Sequence, residues 1–366
     1  MSNIDLAQWR QRLDGAFFPA VLVPFTDHRD IDNAAHQAYT SYLSAQPISG
    51  VAVWAHTGRG LKLNARQRQE VLTLWKQSLG KDKIIIAGVG SPPEIATRDE
   101  YISRAVNMAA EAAAFGADAL LVHPPTLYRG AAESQAMQVE GNRIVNRAAT
   151  SGASAATGRS PASTRLARQP TVEDQEEAIF EYHQKIASTG LPLVLFYLYE
   201  AAGGIRYSPR LLRRLFSMPQ VVGIKMATLD SVMAFQDVAH MVTEEFPEKI
   251  LITGEDRFFG YSLMCGARAA LVGMGSVCVR LQRSLLQSYL AHDAPRFIEL
   301  SDLVDALGQA LFVHPMEGYI RRLLWTLVHL KVLPPDAAHD PWGPELDPFE
   351  NEALVKVLEQ LGEWAS

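Results

Sequence analysis

The sequence predicts a (β/α)8 TIM barrel followed by a C-terminal helical extension. Three observations carry that prediction. Eight short runs are apolar without alternation, as parallel strands buried on both faces require. Helix-like segments separate most of them, the series expected of repeated βα units. The turn after the first run, Pro24-Phe25-Thr26-Asp27, is not the glycine-rich fingerprint that an open dinucleotide-binding sheet usually carries there.

The runs lie at residues 20–25, 50–54, 83–88, 117–122, 193–197, 221–225, 250–253 and 269–272. Apolar residues recur at helical spacing over 31–43, 65–79, 99–115, 208–216, 229–242 and 257–265. Asn64 is suited to cap the second of these. Beyond Val272 the pattern is helical only, over 281–291, 295–311, 318–330 and 350–364. The expected division is a barrel over residues 1–280 and an extension over 281–366.

One segment departs from the series. No acidic residue occurs between Glu140 and Glu173, whereas Arg143, Arg147, Arg159, Arg165 and Arg168 do. Residues 148–164 are almost wholly Ala, Ser, Thr and Gly and have little to bury. A flexible insertion at about 131–172 is expected after the fourth strand. The plain reading is a tolerated surface insertion. The functional one is a basic lid that attracts an anionic substrate.

Composition narrows the classes. The chain has 366 residues, 48% hydrophobic and 20% charged, with a net charge of −6. It is long enough to bury a large core without disulfides or metal. The negative balance argues against nucleic acid as a partner. Two cysteines, Cys265 and Cys278, supply neither a disulfide framework nor a four-thiolate zinc site, and they fit a reducing compartment. The first 15 residues lack the apolar core of a signal peptide, and no run reaches about 18 apolar residues. A soluble cytoplasmic protein with no membrane partner is expected.

Barrel chemistry gathers at the C-terminal ends of the strands. Lys225 ends the run Val221-Val222-Gly223-Ile224. Desolvation there lowers an amine's pKa and frees it to attack a carbonyl and form a Schiff base. The alternative is a solvated lysine that has already left the strand. His56-Thr57-Gly58 follows the second strand, where a hydroxyl and free amides suit a carboxylate. An ordinary glycine turn is the competing reading. Tyr197 and Tyr199 close the fifth strand and could relay protons, or fill an aromatic layer. Glu255 and Asp256 read as a solvated helix start, and His123 as a substrate contact or a structural residue. No His, Cys, Asp and Glu cluster has metal-ligand spacing, so no metal or cofactor is expected.

These segments resemble the dihydrodipicolinate synthase/N-acetylneuraminate lyase family of (β/α)8 Schiff-base lyases that act on 2-oxo acids. Val221-Val222-Gly223-Ile224-Lys225-Met226-Ala227-Thr228 is similar to its Schiff-base lysine motif. Ala55-His56-Thr57-Gly58-Arg59-Gly60, with Gln67 beyond it, resembles the Gly-Thr-Thr-Gly-Glu segment that holds the pyruvyl carboxylate. Ile86-Ala87-Gly88-Val89-Gly90 and Phe312-Val313-His314-Pro315 add to the likeness.

The departures are as specific. His56 stands where the family has a relay threonine, and Arg59 where it has Glu. The catalytic tyrosine falls within Phe196-Tyr197-Leu198-Tyr199-Glu200. Counting from Leu191-Pro192 puts Phe196 at its position, and counting back from Lys225 puts Tyr197 there. A one-residue bulge is easier to accept than loss of the phenol, so Tyr197 is the expected residue. Ala201-Ala202-Gly203 lacks the arginine that holds the second substrate of the synthases, and only Tyr128 is a shifted candidate for the second relay tyrosine.

The resemblance implies a lyase of aldolase or dehydratase type on pyruvate or a 2-keto-3-deoxy sugar acid. Lys225 would form the imine and Tyr197 shuttle protons. Thr57, Gly58 and His56 would bind substrate, His56 also being able to act as base. A synthase-type condensation is the same-class alternative. A catalytically inactive metabolite-binding barrel is the alternative from another class. A homo-oligomer, tetramer or dimer, is implied.

Overall fold

The computed structural model of the chain describes residues 4–95, 97–128 and 171–365. Its centre is one sheet of eight parallel strands: β1 (Phe17–Pro19), β2 (Gly50–Val53), β3 (Ile84–Val89), β4 (Ala119–Val122), β5 (Leu193–Leu198), β6 (Val221–Ala227), β7 (Ile250–Thr253) and β8 (Ala269–Val272). They pair in the order β1-β8-β7-β6-β5-β4-β3-β2. The ring is completed where Ala20 bridges Ala52, the Val21 N–H donating to the Ala52 carbonyl at 3.0 Å. This is the (β/α)8 TIM barrel the apolar runs predict.

Alternation along each strand makes two cores. Phe18, Ile86, Leu121, Phe196, Ile252 and Leu271 fill the barrel. Phe17, Val53, Leu120, Leu195, Ile224 and Leu251 face the helix layer. That layer comprises α2 (Asn33–Ser44), α3 (Ala65–Ser78), α4 (Arg98–Phe115), α5 (Val172–Ala187), α6 (Pro209–Phe216), α7 (Val232–Glu245), α8 (Phe259–Met264) and α9 (Val279–Leu290). The helix starts follow local chemistry. Asn64 and Gln67 form a capping box on α3, Thr171 and Asp174 one on α5, and Ser208 caps α6 ahead of Pro209.

Three further helices make the extension: α10 (Ala294–Leu311), α11 (Tyr319–His329) and α12 (Pro348–Leu361). The expected boundary at residue 280 falls inside α9, the helix that completes the eighth βα unit. Among the described residues no helix is long and apolar enough to cross a membrane.

Three elements differ from expectation. The first strand is Phe17–Pro19, not 20–25. Ala20 and Val21 still pair with the neighbouring strands, but Leu22, Val23 and Phe25 are buried beyond the barrel ladder, so their apolarity reflects burial and not barrel pairing. An unexpected helix, α1 (Leu6–Leu13), precedes the barrel and is capped by Asp5. Its Trp9 and Leu13 join the interior cluster, and Arg10 donates to the Lys249 carbonyl at 2.7 Å, so α1 closes the end opposite the strand C-termini. Helix α5 was also unexpected. Residues 129–170, with all five arginines of the expected insertion, lie outside the described residues, whereas residues 171 and 172 cap and begin α5.

Candidate active site

Lys225 lies in β6, paired with Phe196 of β5 and Ile252 of β7. Its neighbours Ile224 and Met226 face the helix layer, so alternation turns Lys225 inward. It is 6% exposed, and its Nζ stands 4.3 Å from the centre of the Phe196 ring. Gly254 makes room for it, since a Cβ there would come within 2.5 Å of Lys225 Cε and 2.8 Å of the Met226 carbonyl oxygen. Burial lowers the ammonium to about 8, against the opposing pull of the Asp256 and Glu255 carboxylates.

Those carboxylates follow β7 and are both buried, so the expected solvated helix start is overturned. Glu255 accepts hydrogen bonds from the Thr228 N–H at 2.6 Å, the Thr228 hydroxyl at 2.9 Å and the Leu229 N–H at 2.9 Å. It thereby fixes the chain just past Lys225. Asp256 accepts from the Met274 N–H at 2.8 Å. Burial raises Glu255 to about 8 and Asp256 to about 6.

The loop after β2 forms a short turn, His56–Gly58. Thr57 is buried, and its Oγ1 accepts from the Tyr319 hydroxyl at 3.1 Å. Tyr319 stacks on Phe312, ring centres 4.7 Å apart. Gly273 of the β8 loop leaves space for this group, because a Cβ there would lie 3.3 Å from Thr57 Oγ1, Phe312 and Tyr319 alike. Gly58 has a different role from the one expected. Its N–H donates to the Ala55 carbonyl at 3.1 Å, and a Cβ would fall 2.6 Å from the Val21 carbonyl oxygen. It is a close-approach glycine whose amide is already used.

His56 is half-buried, with Nε2 3.0 Å from Glu317 Oε1. Arg59 donates to Glu317 at 2.8 Å and to Asp340 at 2.6 Å. Burial alone raises a carboxyl, but the His56 hydrogen bond and the Arg59 charge outweigh it and hold Glu317 at about 2. Gln67 serves the α3 capping box and donates to the Arg29 carbonyl at 3.0 Å. His123 is buried, its Nε2 is 3.3 Å from the Trp54 carbonyl oxygen, and burial lowers it to about 4, so it is neutral at pH 7. Its ring meets Phe196 edge-on at 5.7 Å. Above them a cavity of about 170 Å³ is lined by His56, Arg59, His123, Thr126, Leu198 and Gly203, among others.

A sequence model described as the dihydrodipicolinate synthetase family matches residues 14–138 and 171–360. The chain belongs to that family. It is similar to the 4-hydroxy-tetrahydrodipicolinate synthase of Prochlorococcus marinus, at 23% identity over 355 residues and 95% of each chain. Its fold resembles the crystal structure of dihydrodipicolinate synthase from Oceanobacillus iheyensis, with a TM-score of 0.72, 15% identity and 97% and 99% of the two chains covered. It also resembles N-acetylneuraminate lyase from Mycoplasma synoviae, with a TM-score of 0.67, 16% identity and 95% and 98% covered. At these identities the structural likeness is one of fold.

Within this family of Schiff-base lyases, β5 is the strand on which the resemblance placed the catalytic tyrosine. Phe196, not Tyr197, faces Lys225 inside the barrel. Tyr197 points into the helix layer, its ring 5.5 Å from that of Tyr207, so the expected placement of its phenol beside Lys225 is corrected. The reason is a bulge on β6: Leu193 pairs with Val221, but Val194 pairs with Gly223, leaving Val222 as an extra residue. The two sequence counts disagreed by that one residue. The bulge expected from them exists, and the inward phenol is nevertheless absent at this register. Tyr199, just past β5, packs against the interior cluster, and its phenol is raised first by burial and then by Glu317 and Asp256.

Lys225, Thr57 and His56 are therefore gathered at one barrel end, and Tyr197 is not. Sequence reasoning missed Asp256, Glu317 and Tyr319. Asp256 gave a misleading local signal, two adjacent acids after a strand. Glu317 and Tyr319 gave none, being about 260 residues from their partners.

Proposed function

We propose that the chain is a Schiff-base-forming lyase of aldolase or dehydratase type acting on a 2-oxo acid. The observation that carries this reading is the amine of Lys225, buried, inward-facing and lowered to about 8. At pH 7 about one molecule in ten then holds the neutral amine, roughly 200- to 300-fold more than for a solvated lysine. That amine attacks the 2-oxo carbon and loses water, giving a protonated imine. The imine draws the electron pair of a bond at the adjacent carbon. The Thr57 hydroxyl, held by Tyr319, suits the substrate carboxylate. His56, Tyr199 and Asp256 are the groups at the mouth able to move protons.

The lyase reading is preferred over condensation with a second carboxylate-bearing substrate. Ala201-Ala202-Gly203 offers no cation there, and Arg59 is committed to Glu317 and Asp340. It is preferred over an inactive binder because an idle buried lysine is costly. Reduction with borohydride in the presence of pyruvate, followed by peptide mass mapping, tests it. The expected result is a reduced adduct on Lys225. No adduct on Lys225 with pyruvate, 2-oxobutyrate or 2-oxoglutarate would sink it.

The same reading includes a homo-oligomer, dimer or tetramer. Exposed Met264 and Ile298 line an apolar groove of about 380 Å³ between α8 and α10, a surface suited to a subunit contact. Light scattering on the purified chain tests this, and a monomer at micromolar concentration would refute it.

A further inference from the structure

The C-terminal extension reaches back into the barrel mouth through Glu317. Its carboxylate is bound by two side chains of the β2 loop, His56 at 3.0 Å and Arg59 at 2.8 Å. Arg59 is in turn anchored by buried Asp340, also from the extension. This makes a continuous chain: Asp340, Arg59, Glu317, His56. His56 lines the mouth cavity and Glu317 does not, so the imidazole stands between carboxylate and cavity. With Nε2 engaged by Glu317, the nitrogen left is Nδ1. Among the described residues it has no protein hydrogen-bond partner.

A carboxylate on one imidazole nitrogen fixes the ring's orientation and tautomer, and it stabilises the imidazolium formed when the other nitrogen takes a proton. The β5 position that faces Lys225 is Phe196, whose ring cannot take or give a proton. We propose that Glu317 is a positioning residue that makes His56 Nδ1 the base at the carbon next to the imine carbon. This rests on the lyase reading above.

His123 lines the cavity together with His56 and meets the Phe196 ring that lies beside Lys225 Nζ, so for a substrate held at Lys225 the cavity is the space offered to C3. After Lys225 Nζ adds to C2 and the carbonyl oxygen leaves as water, His56 Nδ1 takes a C3 proton. The C–H pair becomes the C2–C3 double bond, and the C=N pair moves to nitrogen, giving the enamine. Return of a proton from the imidazolium reverses the step, so in D2O a C3 hydrogen is replaced by deuterium.

Pyruvate is the probe, the smallest 2-oxo acid with C3 protons. Two quantities are read: borohydride trapping on Lys225 by mass, and deuterium uptake at C3 by proton NMR. For Glu317→Gln the expected result is trapping equal to that of the unaltered chain and exchange at least tenfold slower. His56→Gln is expected to slow exchange at least tenfold relative to the trapping it retains. In the double variant, Glu317→Gln is expected to add less than a twofold further loss, because it acts through His56. Exchange at the unaltered rate in Glu317→Gln overturns the inference. So does a full tenfold loss from Glu317→Gln on top of His56→Gln. A Glu317→Gln chain too unstable to trap pyruvate moves the decision to His56→Gln, where unaltered exchange overturns the inference and the trapping–exchange split supports it. Absence of trapping in the unaltered chain overturns instead the lyase reading on which the inference rests.

Discussion

Replacing Lys225 with methionine removes the desolvated charge and keeps a side chain of similar length. In the folded chain burial lowers this amine from 10.5 to about 8. On unfolding it returns to the ordinary value. Above pH 10.5 both states hold a neutral amine, and Lys225 costs the fold nothing as a charge. As pH falls toward 8 the unfolded state binds a proton first, so stability is lost. Below pH 8 both states are protonated and the penalty is constant. At about 1.4 kcal/mol per tenfold difference in proton affinity it amounts to about 3 kcal/mol. Methionine escapes that penalty, a figure that already includes the attraction of Asp256 and Glu255. The net expectation is a stabilisation of about 1–3 kcal/mol at pH 7 that shrinks by pH 10. Urea unfolding at the two pH values, followed by circular dichroism, measures it. A variant less stable than the original at pH 7, or a gain equal at both pH values, refutes the reasoning. Such a gain, with loss of all trapping, is the trade between stability and activity expected of a strained catalytic group.

Three further outcomes are expected. The rate of reductive trapping by pyruvate should rise with pH and level off near pH 8, since only the neutral amine adds; a rise continuing toward pH 10.5 would show a solvated lysine. Tyr197→Phe should leave trapping within twofold of the original, because the ring faces the helix layer, and a tenfold loss would return Tyr197 to the site. Arg59→Met leaves the buried Asp340 carboxylate and Glu317 without their shared cation, at a cost of about 3–5 kcal/mol; an unchanged denaturation midpoint would show that this network carries no stability.

Reading the chain alone recovers what local pattern encodes. Continuous apolar runs mark strands buried on both sides, and seven of the eight runs coincide with strands to within a residue or two. A lysine closing such a run is either buried or already solvated, and it was the likeness of Val221–Thr228 to the family's lysine motif that made Lys225 legible. The first strand was misread because Phe17 and Phe18 precede a proline, and because chain packed across a barrel end is as apolar as chain within the ladder. Helix α1 is short and mostly polar, and only Trp9 and Leu13 bind it to the barrel.

The barrel, the lysine in its sixth strand and the turn that carries Thr57 could be read from the chain alone. Each is a property of a few consecutive residues. Which ring of β5 faces Lys225 was decided by one extra residue in β6, since a shift of one turns a strand's side chains to the other face. Whether Glu255 and Asp256 meet water was decided by the elements packed over them. The pairing of His56 with Glu317, and of Thr57 with Tyr319, was decided by where the extension lands on the barrel. Periodicity carries no information across about 260 residues; only packing brings such groups into hydrogen-bonding contact.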